Sequence, residues 1–88
     1  MIRRRVVVHG FVQGVFFRDT LRRRAASLGV SGSARNNRDG TVEAVFEGEP
    51  EAVELMLELS RAGPRGARVD RVEVVEEEPQ GGTDFLIR

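Results

Sequence analysis

A β-branched run, Val6-Val7-Val8, passes into Gly10-Phe11-Val12-Gln13-Gly14-Val15-Phe16-Phe17-Arg18 and straight on into an amphipathic helical pattern. A strand that turns into a helix across two glycines commits the chain to a β-α unit. The turn also has a chemistry of its own. The first N–H groups of a helix have no partner inside it, so several can point into one concavity at such a turn. The helix dipole adds positive potential there, which makes an anion the natural guest. Arg18 stands at the edge with a planar, permanently charged fork suited to phosphate oxygens. The segment reads as an anion cradle closed by an arginine.

The rest of the chain supplies the partners this unit needs. Ile2 to His9 is expected to be a strand by its β-branched content. Phe17, Leu21, Ala25 and Leu28 fall on one helical stripe, with Asp19, Arg22, Arg23 and Ser27 opposite and Gly29 placed to end the helix. Residues 30–36 read as a strand and Asn37-Arg38-Asp39-Gly40 as a turn. Thr41 to Glu47 completes a hairpin, with Val42, Ala44 and Phe46 facing in and Thr41, Glu43 and Glu47 facing out. Gly48-Glu49-Pro50 opens a second helix whose apolar side carries Ala52, Val53, Leu55, Met56, Leu57 and Leu59, and Gly63-Pro64 ends it. Ala67 to Glu76 alternates again with one irregularity. Pro79 to Thr83 is a loop, and Asp84 to Arg88 a short last strand.

That order, βαββαβ with a short fifth strand, suits an α+β, ferredoxin-like sandwich: one antiparallel sheet with both helices on one face. Right-handed crossovers make the first and third strands central neighbours. In the second strand Val30, Gly32, Ala34 and Asn36 share a face by alternation, and the apolar members assign it to the helix-covered side. Asn36 is then an amide at the end of a buried face, near the start of the first helix. The cradle, Arg18 and Asn36 are expected to converge.

Composition narrows the chemistry. With 88 residues the chain is expected to be a single domain over 1–88. There is no cysteine, which excludes disulfides, thiolate metal sites and a cysteine nucleophile. All 14 basic residues are arginine, so no lysine is present for Schiff-base chemistry or a Walker-type phosphate contact. No apolar run approaches the ~20 residues of a membrane span, and there is no secretory h-region, so a cytoplasmic protein is expected. Net charge is zero, yet residues 1–44 hold nine Arg against three acids and residues 45–88 five against eleven. The positive half contains the cradle, which favours a small anion. The balanced total argues against broad nucleic-acid binding.

These motifs together resemble the acylphosphatase family. The resemblance is carried by Gly10-Phe11-Val12-Gln13-Gly14-Val15-Phe16-Phe17-Arg18, by Gly32-Ser33-Ala34-Arg35-Asn36, and by Asp39-Gly40-Thr41-Val42-Glu43. Gly63-Pro64 before Ala67-Arg68-Val69 and the closing Phe85-Leu86-Ile87-Arg88 extend it over essentially the whole chain. It implies hydrolysis of the carboxyl–phosphate bond of acyl phosphates to carboxylate and inorganic phosphate, with no metal and no phosphoenzyme. It further implies that Arg18 binds the phosphate, that Asn36 orients the attacking water, and that the backbone of Gln13, Gly14, Val15, Phe16, Phe17 and Arg18 is the phosphate cradle. The chain departs from the family pattern at Ser33-Ala34, where Trp-Val is usual, and at Ser60, where a Trp is usual. Neither is a catalytic position. The chemistry agrees independently: an acyl phosphate already has a good leaving group, so positioning water and neutralising charge can carry catalysis.

Other functions compete for the same pattern. A ferredoxin-like sheet can bind RNA through aromatics on its open face, but this chain has five Phe, no Tyr and no Trp, and Phe46 points inward. A non-catalytic anion-binding module, or a carbamoyl-phosphate-handling or regulatory domain, is the other alternative. His9, the single histidine, has no acid beside it in sequence and reads as a packing or hydrogen-bonding residue. Phe16 and Phe17 read as core or cradle wall. Arg3-Arg4-Arg5 and Arg22-Arg23-Arg24 read as solvated faces that could also steer anions, and Glu76-Glu77-Glu78 as an exposed strand end. The expected ligands are an acyl phosphate and inorganic phosphate or sulfate. No cofactor, metal, nucleic acid or membrane partner is expected, and the chain is expected to be a monomer.

Overall fold

In the computed structural model, which describes residues 1–88, the chain runs β1 (Ile2–Phe11), α1 (Phe17–Leu28), β2 (Ser31–Asn36), β3 (Val42–Gly48), α2 (Pro50–Ala62), β4 (Arg68–Glu77) and β5 (Phe85–Ile87). Alternation puts Val6 and Val8 of β1, Val42, Ala44 and Phe46 of β3 and Ala34 of β2 on one buried face of the sheet. Phe17, Leu21 and Ala25 of α1 and Val53, Met56 and Leu57 of α2 close over it, giving one core cluster. Ser60 of α2 is also buried, where its hydroxyl donates to the Met56 carbonyl at 2.9 Å and so needs no partner in the sheet.

The sheet order is β4-β1-β3-β2-β5, so β1 and β3 are the central neighbours the crossover rule requires. Each neighbouring pair among the first four strands is antiparallel, as the sequence pattern predicts. The fifth adds in parallel to β2, making the sheet mixed. The reason is directional. β4 lies on one edge and the free edge of β2 on the other, so the chain crosses the sheet and turns back, opposite to β4 and with β2.

β1 runs two residues beyond His9, which places Gly10 and Phe11 in the strand. The irregularity in β4 is a β-bulge: the register passes from His9↔Arg71 to Gly10↔Val69 and leaves Asp70 unpaired. Gly10 has φ 135°, and a Cβ there would stand 2.0 Å from the Arg68 carbonyl oxygen. Gly10 therefore serves the bulge, and the connecting turn is shorter than the sequence suggests.

The outer face of the sheet is charged but not freely solvated. Arg3 contacts Glu47 at 3.2 Å and Glu77 at 2.9 Å; Arg5 contacts Glu77 at 2.7 Å and Glu43 at 2.6 Å. The strand register places these charges on facing or diagonal positions, which local sequence does not reveal. Arg3, Arg5 and Glu77 are thus members of an ion-pair lattice rather than solvated ends.

Candidate active site

The turn between β1 and α1 is built to leave donors free. Phe16 caps α1 in a left-handed conformation, φ 61° and ψ 27°, with no side-chain cap. The N–H groups of Gly14 through Arg18 donate to no acceptor within the chain. Gly14 has φ 76°, where a side chain is disfavoured, and there is open space on the side where a Cβ would stand. Five consecutive donors at a helix N-terminus form the nest expected of an anion site.

A pocket of ≈ 260 Å³ opens at this point, and Gly14, Phe16, Phe17, Arg18 and Asn36 all line it. The predicted convergence of the cradle, Arg18 and Asn36 is therefore present. Asn36 is exposed rather than covered, because α1 begins short of it; it continues the row of buried Ala34 to the pocket rim. Arg18 lies in the first turn of α1, and its Nη1 donates to the main-chain oxygen of Arg88 at 3.1 Å. No partner within the chain occupies the other nitrogens of its guanidinium, which leaves an arginine oriented and still able to donate.

The remaining turn residues divide their tasks. Phe17 is buried in the core at 2% exposure, whereas Phe16 projects at 79% exposure beside the pocket. Val15 packs against the core from outside. The Gln13 side chain turns away from the pocket, and its Nε2 donates to the carbonyls of Asn37 at 2.7 Å and Thr41 at 2.9 Å. Thus the β1–α1 turn is bolted to the β2–β3 turn that follows Asn36.

Two contributors are invisible in local sequence: Ile87 of β5 lines the pocket, and Arg88 supplies the main-chain oxygen that holds Arg18. Asp19 also lines the pocket, but its carboxylate is engaged by Arg22 at 2.7 Å and Arg23 at 3.1 Å. The Arg22 hydrogen bond above all holds its pKa below the usual aspartate value. Helical spacing could have suggested these pairs; nothing short of the sheet topology could have brought in β5. His9 has an acid partner after all: its Nε2 meets Glu73 across the β1–β4 pair at 2.5 Å, away from the pocket lining. No group of three or more His, Cys, Asp or Glu side chains gathers as a metal site.

Fold and pocket define a class first: a ferredoxin-like sandwich whose strand-to-helix turn presents an anion nest with an arginine and an amide. A model of the acylphosphatase family matches residues 4–87. An acylphosphatase of Rubrobacter xylanophilus is 59% identical over 78 residues, covering 89% of this chain and 71% of that one. An acylphosphatase of Thermococcus kodakarensis is 50% identical over 86 residues, covering 98% of this chain and 94% of that one. The structure of an acylphosphatase from Coxiella burnetii superposes with a TM-score of 0.94 at 36% identity, covering 99% of this chain and 92% of that one. The chain belongs to the acylphosphatase family.

Proposed function

We infer that this protein hydrolyses acyl phosphates to a carboxylate and inorganic phosphate, and that the pocket at the start of α1 is where it does so. The observation that supports the reading is one pocket lined by Gly14, Phe16, Phe17, an oriented Arg18 and Asn36, at a turn whose N–H groups from Gly14 to Arg18 have no acceptor within the chain. Phosphate oxygens accept from the nest of Gly14 to Arg18 and from the Arg18 guanidinium, which together neutralise the charge that grows on them. The Asn36 amide holds a water in line with the scissile bond. Water oxygen bonds to phosphorus, the phosphorus–acyl oxygen bond breaks, and the carboxylate leaves with the electron pair. Both water protons end on the phosphate product. A carboxylate leaving group needs no strong general acid, which matches a site with neither a histidine nor a free carboxylate among its working groups.

Arg18, Asn36 and the backbone from Gln13 to Arg18 are the residues we assign to this work. The reaction as written needs no metal, and the chain acts as a monomer on a small-molecule substrate. Purified protein given an aryl acyl phosphate in excess EDTA should turn over fully, with inorganic phosphate or sulfate as competitive inhibitors. Activity that disappears with chelator and returns with a divalent cation would overturn the mechanism. Phosphate binding without any hydrolysis would favour a non-catalytic anion-binding module.

A further inference from the structure

Between Glu77 and Phe85 the chain must pass from one edge of the sheet to the other, because β4 and β5 are the two outermost strands. Four strand spacings of ~4.8 Å amount to about 19 Å. The eight Cα–Cα steps of this strap, from Glu77 to Phe85, reach at most about 29 Å when fully extended, which leaves only about 10 Å of slack. A short strap needs a fixed anchor along its path. The register supplies one: Glu77, Arg3, Glu47 and Ser31 form a single cross-strand row on the outer face. Glu47 stands in the middle of that row. It faces away from the helices, yet it is only 1% exposed, because the strap lies over it. The backbone N–H groups of Gln80 and Gly81 each donate to its carboxylate at 2.7 Å, and Arg3 approaches at 3.2 Å from below. Gly82 then rests against Ser31, and Gly32 donates to the Asp84 carbonyl at 2.9 Å, the last step before β5.

What the strap delivers is part of the pocket. Phe85 stacks on Phe46 of the core with ring centroids 6.0 Å apart. Arg88 N–H donates to the Ala34 carbonyl at 2.9 Å, Ile87 lines the pocket, and the main-chain oxygen of Arg88 accepts from Arg18. We propose that Glu47 is a positioning residue for Arg18: by gripping the strap at Gln80 and Gly81 it sets where β5 lies along β2, and so where the main-chain oxygen of Arg88 holds the guanidinium. The connection runs through backbone all the way from Gln80 to Arg88. The proposal rests on Arg18 being the phosphate-binding group.

The test uses Glu47→Gln, which keeps size but offers a single acceptor oxygen where two amides need one each. KM for an aryl acyl phosphate and Ki for inorganic phosphate should rise together, about tenfold, the cost of misplacing one charge-assisted hydrogen bond. A merely structural role would instead lower the melting temperature and the apparent kcat through loss of folded protein, with KM and Ki unchanged; that result overturns the proposal. Gln80→Pro, on the exposed strap, removes one of the two donors and leaves the carboxylate in place, and should raise Ki in the same direction even if Glu47→Gln folds poorly. Rescue is the sharper arm. Ser33 and Leu86 face each other across β2 and β5, and the chain has no other cysteine to interfere. A Ser33→Cys/Leu86→Cys disulfide added to Glu47→Gln should return Ki to within about twofold of the parent, with the defect reappearing on reduction. A defect the disulfide leaves untouched means Glu47 does not act through β5. If Arg18→Lys leaves Ki unaltered, the reading of the pocket has failed and not the role of Glu47 alone.

Discussion

Arg18 contributes two things that a charge alone would not: a fork of donors and a fixed direction, the latter set by its bond to the main-chain oxygen of Arg88. Lysine keeps the charge and loses the fork. Arg18→Lys is expected to lose roughly 10²-fold or more in kcat/KM, the usual scale for removing a donor aimed at developing charge. Its melting temperature should barely move, since the side chain is half-exposed and outside the core. Near-parental turnover would mean that bidentate clamping is the wrong account. Asn36 separates from it by kinetics. Because Asn36 sits at the rim while the nest belongs to the β1–α1 turn and the first residues of α1, Asn36→Ala should cut kcat severely and leave Ki for phosphate close to its original value. Loss of phosphate affinity with turnover preserved at saturating substrate would move Asn36 from positioning water to binding.

The β1–α1 turn and Asn36 at the end of β2 belong to different elements, and Gln13 couples them through the turn that follows Asn36. Its amide bridges the Asn37 and Thr41 carbonyls, each of which already accepts a backbone hydrogen bond within the hairpin turn. Gln13→Ala therefore strands no buried acceptor and should cost only about 1–2 kcal/mol, two ordinary hydrogen bonds. The consequence for function should be larger than for stability, because the nest of the β1–α1 turn and Asn36 on β2 would no longer share one frame. A kcat drop exceeding the rise in KM would show that coupling; unaltered kinetics with a lowered melting temperature would confine Gln13 to stability. The same logic explains why the β1–α1 turn is so short. The bulge opposite Asp70 claims Gly10, and α1 claims Phe17 and Arg18, which leaves Gly14 and Phe16 to reverse the chain with positive φ.

Across the whole molecule, opposite charges are stored on the sheet face away from the helices. Glu47 is held below the ordinary glutamate value by the Gln80 amide first and then by Gly81 and Arg3, against the cost of burial. Glu77 is held low by Arg5 and Arg3; for Glu43 burial opposes, but Asn37, Arg5 and Arg35 outweigh it. A carboxylate with a depressed folded pKa binds fewer protons folded than unfolded, so its contribution is complete above the unfolded value and is lost as pH falls towards the folded one. With an ordinary value of 4.5 for these groups, the melting temperature should be flat near neutrality and fall below about pH 4.5. Thermal melts followed by circular dichroism across this range check it, and Glu47→Gln should show a shallower fall. A melting temperature unchanged down to about pH 3 would mean the lattice adds no net stability.

Much of the pocket was legible because its parts obey local rules. A strand running into glycines and an amphipathic helix announces free N–H groups, and period-2 alternation alone puts Asn36 on the face of Ala34. The two helices and the antiparallel core follow from the same periodicities. Other features depend on which strands become neighbours, and adjacent residues carry no record of that. Glu73 beside His9, Glu47 beneath the strap, and Arg3 and Arg5 inside an ion-pair lattice all meet residues 33 or more positions away in sequence. The parallel docking of β5 is the furthest case: only the sheet order, with β4 and β5 on opposite edges, carries Ile87 and the main-chain oxygen of Arg88 to Arg18. Local backbone physics sets each element and the nest at its start; long-range pairing decides what stands opposite it.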